Sequence, residues 1–374
     1  MLIRGCHMLS YVPAILFLVG CSSSVTKVLS NKKVIEAGLE PELVCSETIK
    51  LNYGKADSSH SLQFKYLGYG GYYMSNGSSS LLIDPFFSPY RMVGLNIRKI
   101  GTKPENVEAG ILDKKEELYN NCRAIFVSHS HYDHLMDVPY VFNNFLDTSK
   151  ARVYGSASTK RLIKSVIDST SIQVIENYVC SDTTIGEWIY LADLSIRVLP
   201  LRTEHAPHYN AIFPINLYDG ETEPVNKYTN DLAKMSVRKW RKGSVYGYVV
   251  DFLEKGNPVF RVYLLTSSSN IPNGMVHAQV LDEHPVDLAI LGSASFDNVD
   301  NYPEGILQHI RPGKVLMAHW EDLFKPYLKN PPRFIRTNNF KNLLIRINEA
   351  YPWKDGTVQN VYFPYPGVDI EIYF

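Results

Sequence analysis

Six consecutive residues constrain this chain more than any others: His129-Ser130-His131-Tyr132-Asp133-His134. They follow directly on an apolar run, Ala124-Ile125-Phe126-Val127, which reads as a short strand buried on both faces. A helical pattern begins a few residues later, at Val138. Several side chains able to bind a cation therefore share one loop at the C-terminal end of a strand. Imidazole nitrogens and carboxylate oxygens suit zinc or a similar divalent ion. Without an ion among them, such polar groups packed at a strand end need other partners, at a cost for each one left unmet. The motif is read as a metal site built on His129, His131, Asp133 and His134.

The rest of the chain supplies a frame for such a loop. Short strand-like runs fall at Leu62–Leu67, Ser80–Ile83, Ile196–Leu201, Tyr246–Phe252, Phe260–Leu265, Leu288–Leu291 and Val315–Ala318. Helical patterns lie between several of them, at Val138–Leu146, Thr159–Ile167, Glu304–Ile310 and Phe340–Ala350. Interleaving of this kind predicts a mixed α/β domain. Asn76-Gly77 and Glu254-Lys255-Gly256-Asn257 mark tight hairpins. Gly68-Tyr69-Gly70-Gly71 sits in a hairpin and opens no helix, so it is expected to turn the backbone beneath the metal site rather than cradle a phosphate. No Gly-x-Ser-x-Gly elbow is present to support serine nucleophile chemistry. Residues 219–243 read as a charged inserted loop carrying Lys234, Arg238, Lys239, Arg241 and Lys242. A solvated loop is the plain reading, and a patch facing phosphate or headgroups is the alternative.

Lys+Arg and Asp+Glu both total 38, so no overall attraction to nucleic acid is implied and no nucleic-acid partner is expected. The 25 tyrosines fit a sheet-rich structure, with an extended binding face as the alternative. At the N-terminus, Arg4 and His7 precede an apolar run from Tyr11 to Val19. It falls short of the about 20 residues that a spanning helix needs, but it suits a signal-peptide core. The following Leu18-Val19-Gly20-Cys21 resembles the bacterial lipobox. That resemblance implies a signal peptide over 1–20 and a diacylglycerol on the Cys21 thiol, hence a membrane anchor in the cell envelope. In a Gram-negative source, Ser22 after the cysteine resembles outer-membrane sorting, facing the periplasm. Met8 is an alternative start. Residues 21–60 are polar and read as a tether and irregular lead-in, with the folded domain over 61–374. Cys45, Cys122 and Cys180 then remain, an odd number that cannot all pair. Cys122 is expected to be buried and inert, and a Cys45–Cys180 bridge is left open.

The His-x-His-x-Asp-His pattern at 129–134 resembles the signature of the metallo-β-lactamase superfamily, and the likeness extends over roughly 62 to 330. It implies a four-layer αββα sandwich with ligands gathered at one edge. Carried over by position, one metal takes His129, His131 and His205, and a second takes Asp133, His134 and His319. His208 is a rival to His205. Asp84, closing the early hairpin, corresponds to an aspartate that orients ligands. Ser128–Leu135 and Ala318-His319-Trp320 look closest to the branch holding ascorbate-phosphate lactonase-like proteins and N-acyl-phosphatidylethanolamine phospholipase D. His7, His60, His277, His284 and His309 lack such contexts and read as surface or packing residues.

One departure from the family matters. Where its members place a metal-bridging aspartate, this chain has Thr266-Ser267-Ser268-Ser269, with Ser267 at the expected position and Ser268 the alternative. Two divalent ions about 3.5 Å apart repel by about 19 kcal/mol at an effective dielectric near 20 before ligands offset it. Losing one anion between them implies one tight metal site and a second that is weak or absent. The implied function is metal-dependent hydrolysis of a phosphodiester, lactone or other ester, with water activated on the metal. The ion is read as zinc, with manganese or iron as alternatives. In a one-metal version Asp133 is free to act as general base. A lipid anchor makes a small-molecule or lipid-derived substrate the natural partner. The alternative is a non-catalytic metal-binding envelope lipoprotein with a degenerate site. Di-iron oxygen or nitric oxide reduction fits poorly, because that branch carries a carboxylate where this chain has His131.

Overall fold

A computed structural model of the chain describes residues 48–54, 60–91, 95, 98–207, 234–324, 332–335, 338–350 and 361–374, together with the backbone of 42–44. The signal segment, Cys21, Cys45 and His208 lie outside the described residues. Among the described residues no helix is long and apolar enough to cross a membrane.

Two eight-stranded mixed sheets make the body. In chain order the strands are β1 (Glu42–Val44), β2 (Thr48–Asn52), β3 (Ser61–Gly68), β4 (Gly71–Ser75), β5 (Ser80–Ile83), β6 (Lys99–Ile100), β7 (Cys122–Phe126), β8 (Arg152–Gly155) and β9 (Ile172–Val174). They continue as β10 (Ile189–Tyr190), β11 (Ile196–Thr203), β12 (Met235–Ser236), β13 (Val245–Glu254), β14 (Asn257–Leu265), β15 (Leu288–Gly292), β16 (Lys314–Ala318), β17 (Val361–Pro364) and β18 (Asp369–Tyr373). One sheet runs β1-β17-β16-β15-β14-β13-β11-β10 and the other β2-β18-β3-β4-β5-β7-β8-β9, while β6 and β12 form a separate ribbon. The helices used below are α1 (Pro104–Ile111), α2 (Lys115–Asn121), α3 (Tyr132–Leu135), α4 (Val138–Phe145), α5 (Ala157–Ile163), α6 (Ala278–Glu283), α7 (Glu304–Ile310) and α8 (Phe340–Ala350).

Side-chain alternation explains the layering. On β7, Ala124 and Phe126 join Phe64, Met74 and Leu81 in the core between the sheets. Ile125 and Val127 face the other way, into a second core with Val141 and Phe142 of α4 and Leu162 of α5. Burial on both faces is why this strand reads as an unbroken apolar run. The result is the αββα sandwich. Seven of its largest fully buried side chains are tyrosines, among them Tyr66, Tyr72, Tyr248 and Tyr263, so tyrosine serves the sheet core here. The turn Lys255-Gly256 has positive φ at both positions (50° and 83°), the geometry that a two-residue hairpin requires.

Strand direction then decides where the site forms. β5, β7 and β8 run parallel, so the residues after each emerge at one edge. β14, β15 and β16 are parallel as well. β11 and β14 both pair antiparallel with β13, so β11 ends on the same side as β14. Asp84, the 128–134 loop, His205, Thr266-Ser267 and His319 all follow the C-terminal ends of these strands.

Two expectations need correction. The lead-in up to residue 60 is not irregular throughout. β1 pairs parallel with β17 and β2 pairs parallel with β18, so each closes the edge of one sheet. The polar composition of this stretch hid two edge strands, one of which alternates buried and exposed side chains. The charged segment 219–243 is not a plain solvated loop where it is described. From 234 onward β12 pairs with β6, and Met235, Val237 and Trp240 are buried in the helix-side core.

Candidate metal centre

Six side chains from three strand ends meet in two groups of three: His129, His131 and His205, and Asp133, His134 and His319. Within each group the potential ligand atoms lie within 4.8 Å of one another. These are the same two sets into which the family resemblance distributes them. All are buried except Asp133 and His205, which are partly buried.

Hydrogen bonds on the outer side of the rings determine which nitrogens face inward. Asp84, fully buried, accepts from the Ser128 amide at 2.7 Å and from the Ser128 hydroxyl. It also pairs with His134 Nδ1 at 2.8 Å, and because a carboxylate only accepts, Nδ1 carries the hydrogen. His134 Nε2 is left as a lone pair on the side of Asp133, whose Oδ2 lies 3.7 Å away. Having donated to Asp84, the Ser128 hydroxyl accepts from Thr266 Oγ1 at 2.8 Å and from His129 Nδ1 at 3.0 Å. The lone pair of His129 is therefore on Nε2. His205 Nδ1 donates to the Ala206 carbonyl at 2.6 Å, which puts the ring hydrogen on Nδ1 and the lone pair on Nε2.

This arrangement fits a cation. His129 Nε2 and His131 Nδ1 face each other at 3.0 Å. Two ligands on a tetrahedral zinc at about 2.0–2.1 Å stand about 3.3 Å apart, close to that separation. His319 Nδ1 is buried with no hydrogen-bond partner, while its Nε2 lies 3.3 Å from Asp133 Oδ2. The donor set, nitrogen with one carboxylate, is that of zinc-type sites.

Burial, then the neighbouring imidazoles, holds the His129 pKa well below its ordinary value, so the ring stays neutral as a ligand must. Burial works to raise Asp133, but His134, then His319 and His131, outweigh it and hold that carboxyl well below the usual range. His134 is opposed by burial and raised on balance by Asp84 and Asp133.

The backbone beneath the site is tightly constrained. Asp84 has φ 43° and His319 φ 49°, both in the left-handed region that L-residues seldom occupy. Gly71 must be glycine, since a Cβ there would lie 2.7 Å from the Asp84 carbonyl oxygen. A Cβ placed on Gly70 (φ 90°) would lie 3.6 Å from His134 Cε1, so this hairpin does turn under the motif.

A family model for the beta-lactamase superfamily domain matches residues 80–320. The chain belongs to that family. The match begins on β5 just before Asp84 and ends one residue past His319, so it encloses both triads. Among solved structures, a metallo hydrolase, Igni18, from Ignicoccus hospitalis KIN4/I is similar at 14% identity, covering 84% of this chain and 99% of that one, with a TM-score of 0.46. A possible metal-dependent hydrolase from Veillonella parvula DSM 2008 is similar at 12% identity over 82% and 98%, with a TM-score of 0.45. The metallo-beta-lactamase fold protein YhfI from Bacillus subtilis is similar at 14% over 84% and 100%, with a TM-score of 0.42. No curated protein matches.

The superfamily's bridging carboxylate has no replacement in the hydroxyl run after β14. Ser267 Oγ accepts from the Ala206 amide at 3.3 Å, bracing the His205 loop. Ser268 is turned away, donating to the Gly292 and Ala294 carbonyls, and Ser269 ties down Glu204. Asp133 is thus the sole carboxylate in either triad. The other described histidines have local tasks: His60 pairs with Glu254, His277 caps α6, His284 pairs with Asp287, and His309 bonds the Val276 backbone. Ser128, Thr266 and Tyr66 were not singled out from sequence. Ser128 alone carried a signal, as the residue immediately before the motif.

Asp137 precedes α4 and is buried behind the motif, accepting the Phe87 amide at 2.7 Å. Burial pushes its pKa up to about 6, against hydrogen bonds from Phe87, Ser88 and Thr102 that lower it. A folded-state pKa above the ordinary value near 3.9 means folding favours the neutral acid. That contribution is whole below about pH 4 and lost as pH rises through about 6, on the order of 3 kcal/mol. The thermal midpoint of metal-free Asp137→Asn, compared with wild type, is expected to gain ground steadily from pH 4 to pH 7. A constant difference across that range would show that Asp137 stays ionised in the fold.

Proposed function

We propose that this chain is a metal-dependent hydrolase of an ester carrying a phosphate, such as a phosphodiester, with a lipid-derived compound as the substrate class. The observation that carries this reading is the paired triads, whose inward-facing nitrogens are fixed by Asp84, Ser128 and Ala206. A divalent ion bound there, zinc before manganese or iron, supplies Lewis acidity, lowering the pKa of a water molecule to about 7 and polarising the ester. His129, His131 and His205 would hold one ion through neutral nitrogens. Asp133, His134 and His319 would hold a second, more weakly because Ser267 supplies no bridging charge.

Asp133 is assigned to binding the ion when both triads are filled. Its Oδ2 lies 3.3 Å from His319 Nε2 and 3.7 Å from His134 Nε2, within the second triad. In a one-metal version, with the second triad empty, it is free to act as general base.

The β6–β12 ribbon favours a phosphate over a neutral lactone. Arg98, Lys99, Arg238, Lys239 and Arg241 are exposed on or beside it, and no acidic residue occurs within 98–100 or 234–243. The ribbon is anchored to the metal loop: the Lys242 carbonyl accepts the Ser130 amide at 2.9 Å. In a chain of zero net charge, such segregation of cations suits an anionic substrate. Lipidation at Cys21 would keep this face near a membrane in the cell envelope, on the periplasmic side of the outer membrane in a Gram-negative source.

The serine in place of a bridging aspartate favours one other reading, a non-catalytic metal-binding lipoprotein. The test is hydrolysis of bis(p-nitrophenyl) phosphate and of simple lactones by the full-length chain, metal-loaded and chelated, beside His131→Ala. Metal-dependent cleavage of the diester in preference to the lactone, lost in His131→Ala, is the expected result. Bound metal with no cleavage of either would favour the non-catalytic reading.

A further inference from the structure

His319 occupies a left-handed backbone conformation (φ 49°), which is unfavourable for a residue with a side chain. A buried hydrogen-bond chain holds it there. The His319 amide donates to Tyr66 Oη at 3.0 Å, and the Tyr66 hydroxyl donates to Glu321 Oε2 at 2.6 Å. The other carboxylate oxygen, Oε1, accepts the Tyr69 amide at 3.1 Å. Tyr66 and Glu321 are 0% and 1% exposed.

The chain crosses between the sheets. His319 and Glu321 follow β16 in one sheet, while Tyr66 and Tyr69 belong to β3 and the β3–β4 turn in the other. Trp320, between the two site-edge residues, is itself pinned by Nε1 donating to the Pro364 carbonyl at 3.0 Å. Burying a carboxylate is costly, and packing alone would be served by an apolar residue. What Glu321 adds is direction. It takes the Tyr66 hydroxyl hydrogen, so the Tyr66 oxygen presents a lone pair to the His319 amide.

We propose that Tyr66 and Glu321 are positioning residues for the second triad, holding His319 in the strained conformation that directs its imidazole at Asp133 and His134. This rests on the reading of the two triads as metal sites. Groups that orient a ligand characteristically change metal affinity by about 10- to 100-fold when removed.

The test is calorimetric titration of the metal-free full-length chain with zinc, for wild type, Tyr66→Phe, Glu321→Gln, His319→Ala and His131→Ala. His319→Ala and His131→Ala identify which binding event belongs to which triad. Tyr66→Phe is expected to weaken the event that His319→Ala removes by about 10- to 100-fold, and to leave the His131-dependent event unchanged. Glu321→Gln, whose amide oxygen still accepts one hydrogen bond, should weaken the same event less. Wild-type zinc affinity in both variants, even with lowered thermal midpoints, would mark Tyr66 and Glu321 as structural only and overturn the proposal. A wild type that shows only the His131-dependent event would overturn the proposal, and no zinc binding at all would overturn the metal reading with it.

Discussion

Asp84→Ala is expected to lower metal affinity by about 10- to 100-fold while the sandwich still folds. Asp84 touches neither triad as a ligand, but it receives three hydrogen bonds, from the Ser128 amide, the Ser128 hydroxyl and His134 Nδ1. Its loss frees the His134 ring to turn. It also frees the Ser128 hydroxyl, whose orientation keeps the His129 hydrogen on Nδ1. One ligand in each triad is therefore loosened by a single substitution. The Ser128 amide would also be left buried without its acceptor, at about 1–3 kcal/mol of stability. Zinc titration and thermal unfolding of the metal-free protein separate the two effects. Unchanged zinc affinity in Asp84→Ala would mean that packing alone orients the rings.

The largest loss of stability is expected far from the metal, at Asp251. This fully buried carboxylate on β13 holds two guanidinium groups from the neighbouring strands. Arg197 Nε reaches it at 2.9 Å from β11, and Arg261 does so from β14 through Nε at 2.6 Å and a terminal nitrogen at 2.8 Å. Arg261 is 0% exposed and Arg197 5%. Glu283 of α6 also bonds Arg197, at 2.6 Å, but is itself well exposed, so its pairing is screened and worth less. Asp251→Ala leaves two cations in the sheet with no buried anion, a change that characteristically costs about 3–5 kcal/mol. Asp251→Asn, which keeps acceptor capacity but no charge, should fall between alanine and wild type. Denaturant midpoints of the metal-free proteins measure this. A loss below about 1 kcal/mol in Asp251→Ala would show that water or Glu283 takes over the pairing.

Much of the frame was legible in the sequence because most of its strands are buried on both faces. β5 matches the apolar run Ser80–Ile83, and the helices at Glu304–Ile310 and Phe340–Ala350 match their periodic patterns. β4 (Gly71–Ser75) was not legible as a strand. Its glycine start and two tyrosines gave no alternation, because all five of its residues are buried. β2 and β18 escaped for the opposite reason, since their polar alternating faces look like loop composition. Helices α1 and α2 pack few apolar residues, which left their periodicity weak.

At the site, the six histidine and aspartate groups were readable because each follows a strand signal. The hydroxyl and carboxylate relays behind them were not. Thr266 meets Ser128 across 138 positions, and Tyr66 meets Glu321 across 255. Contacts at that separation exist only once both sheets have formed. The hydroxyl run at 266–269 was readable as a missing charge, but its task of bracing the 204–206 loop came only from the fold.

The most direct test of the central claim is the metal content of the full-length chain, by elemental analysis after reconstitution with zinc and exhaustive dialysis. The account predicts about one equivalent retained per chain, with any second equivalent held weakly enough to dialyse away. Retention of no metal would contradict it, and would leave the two triads without the ion that their geometry fits.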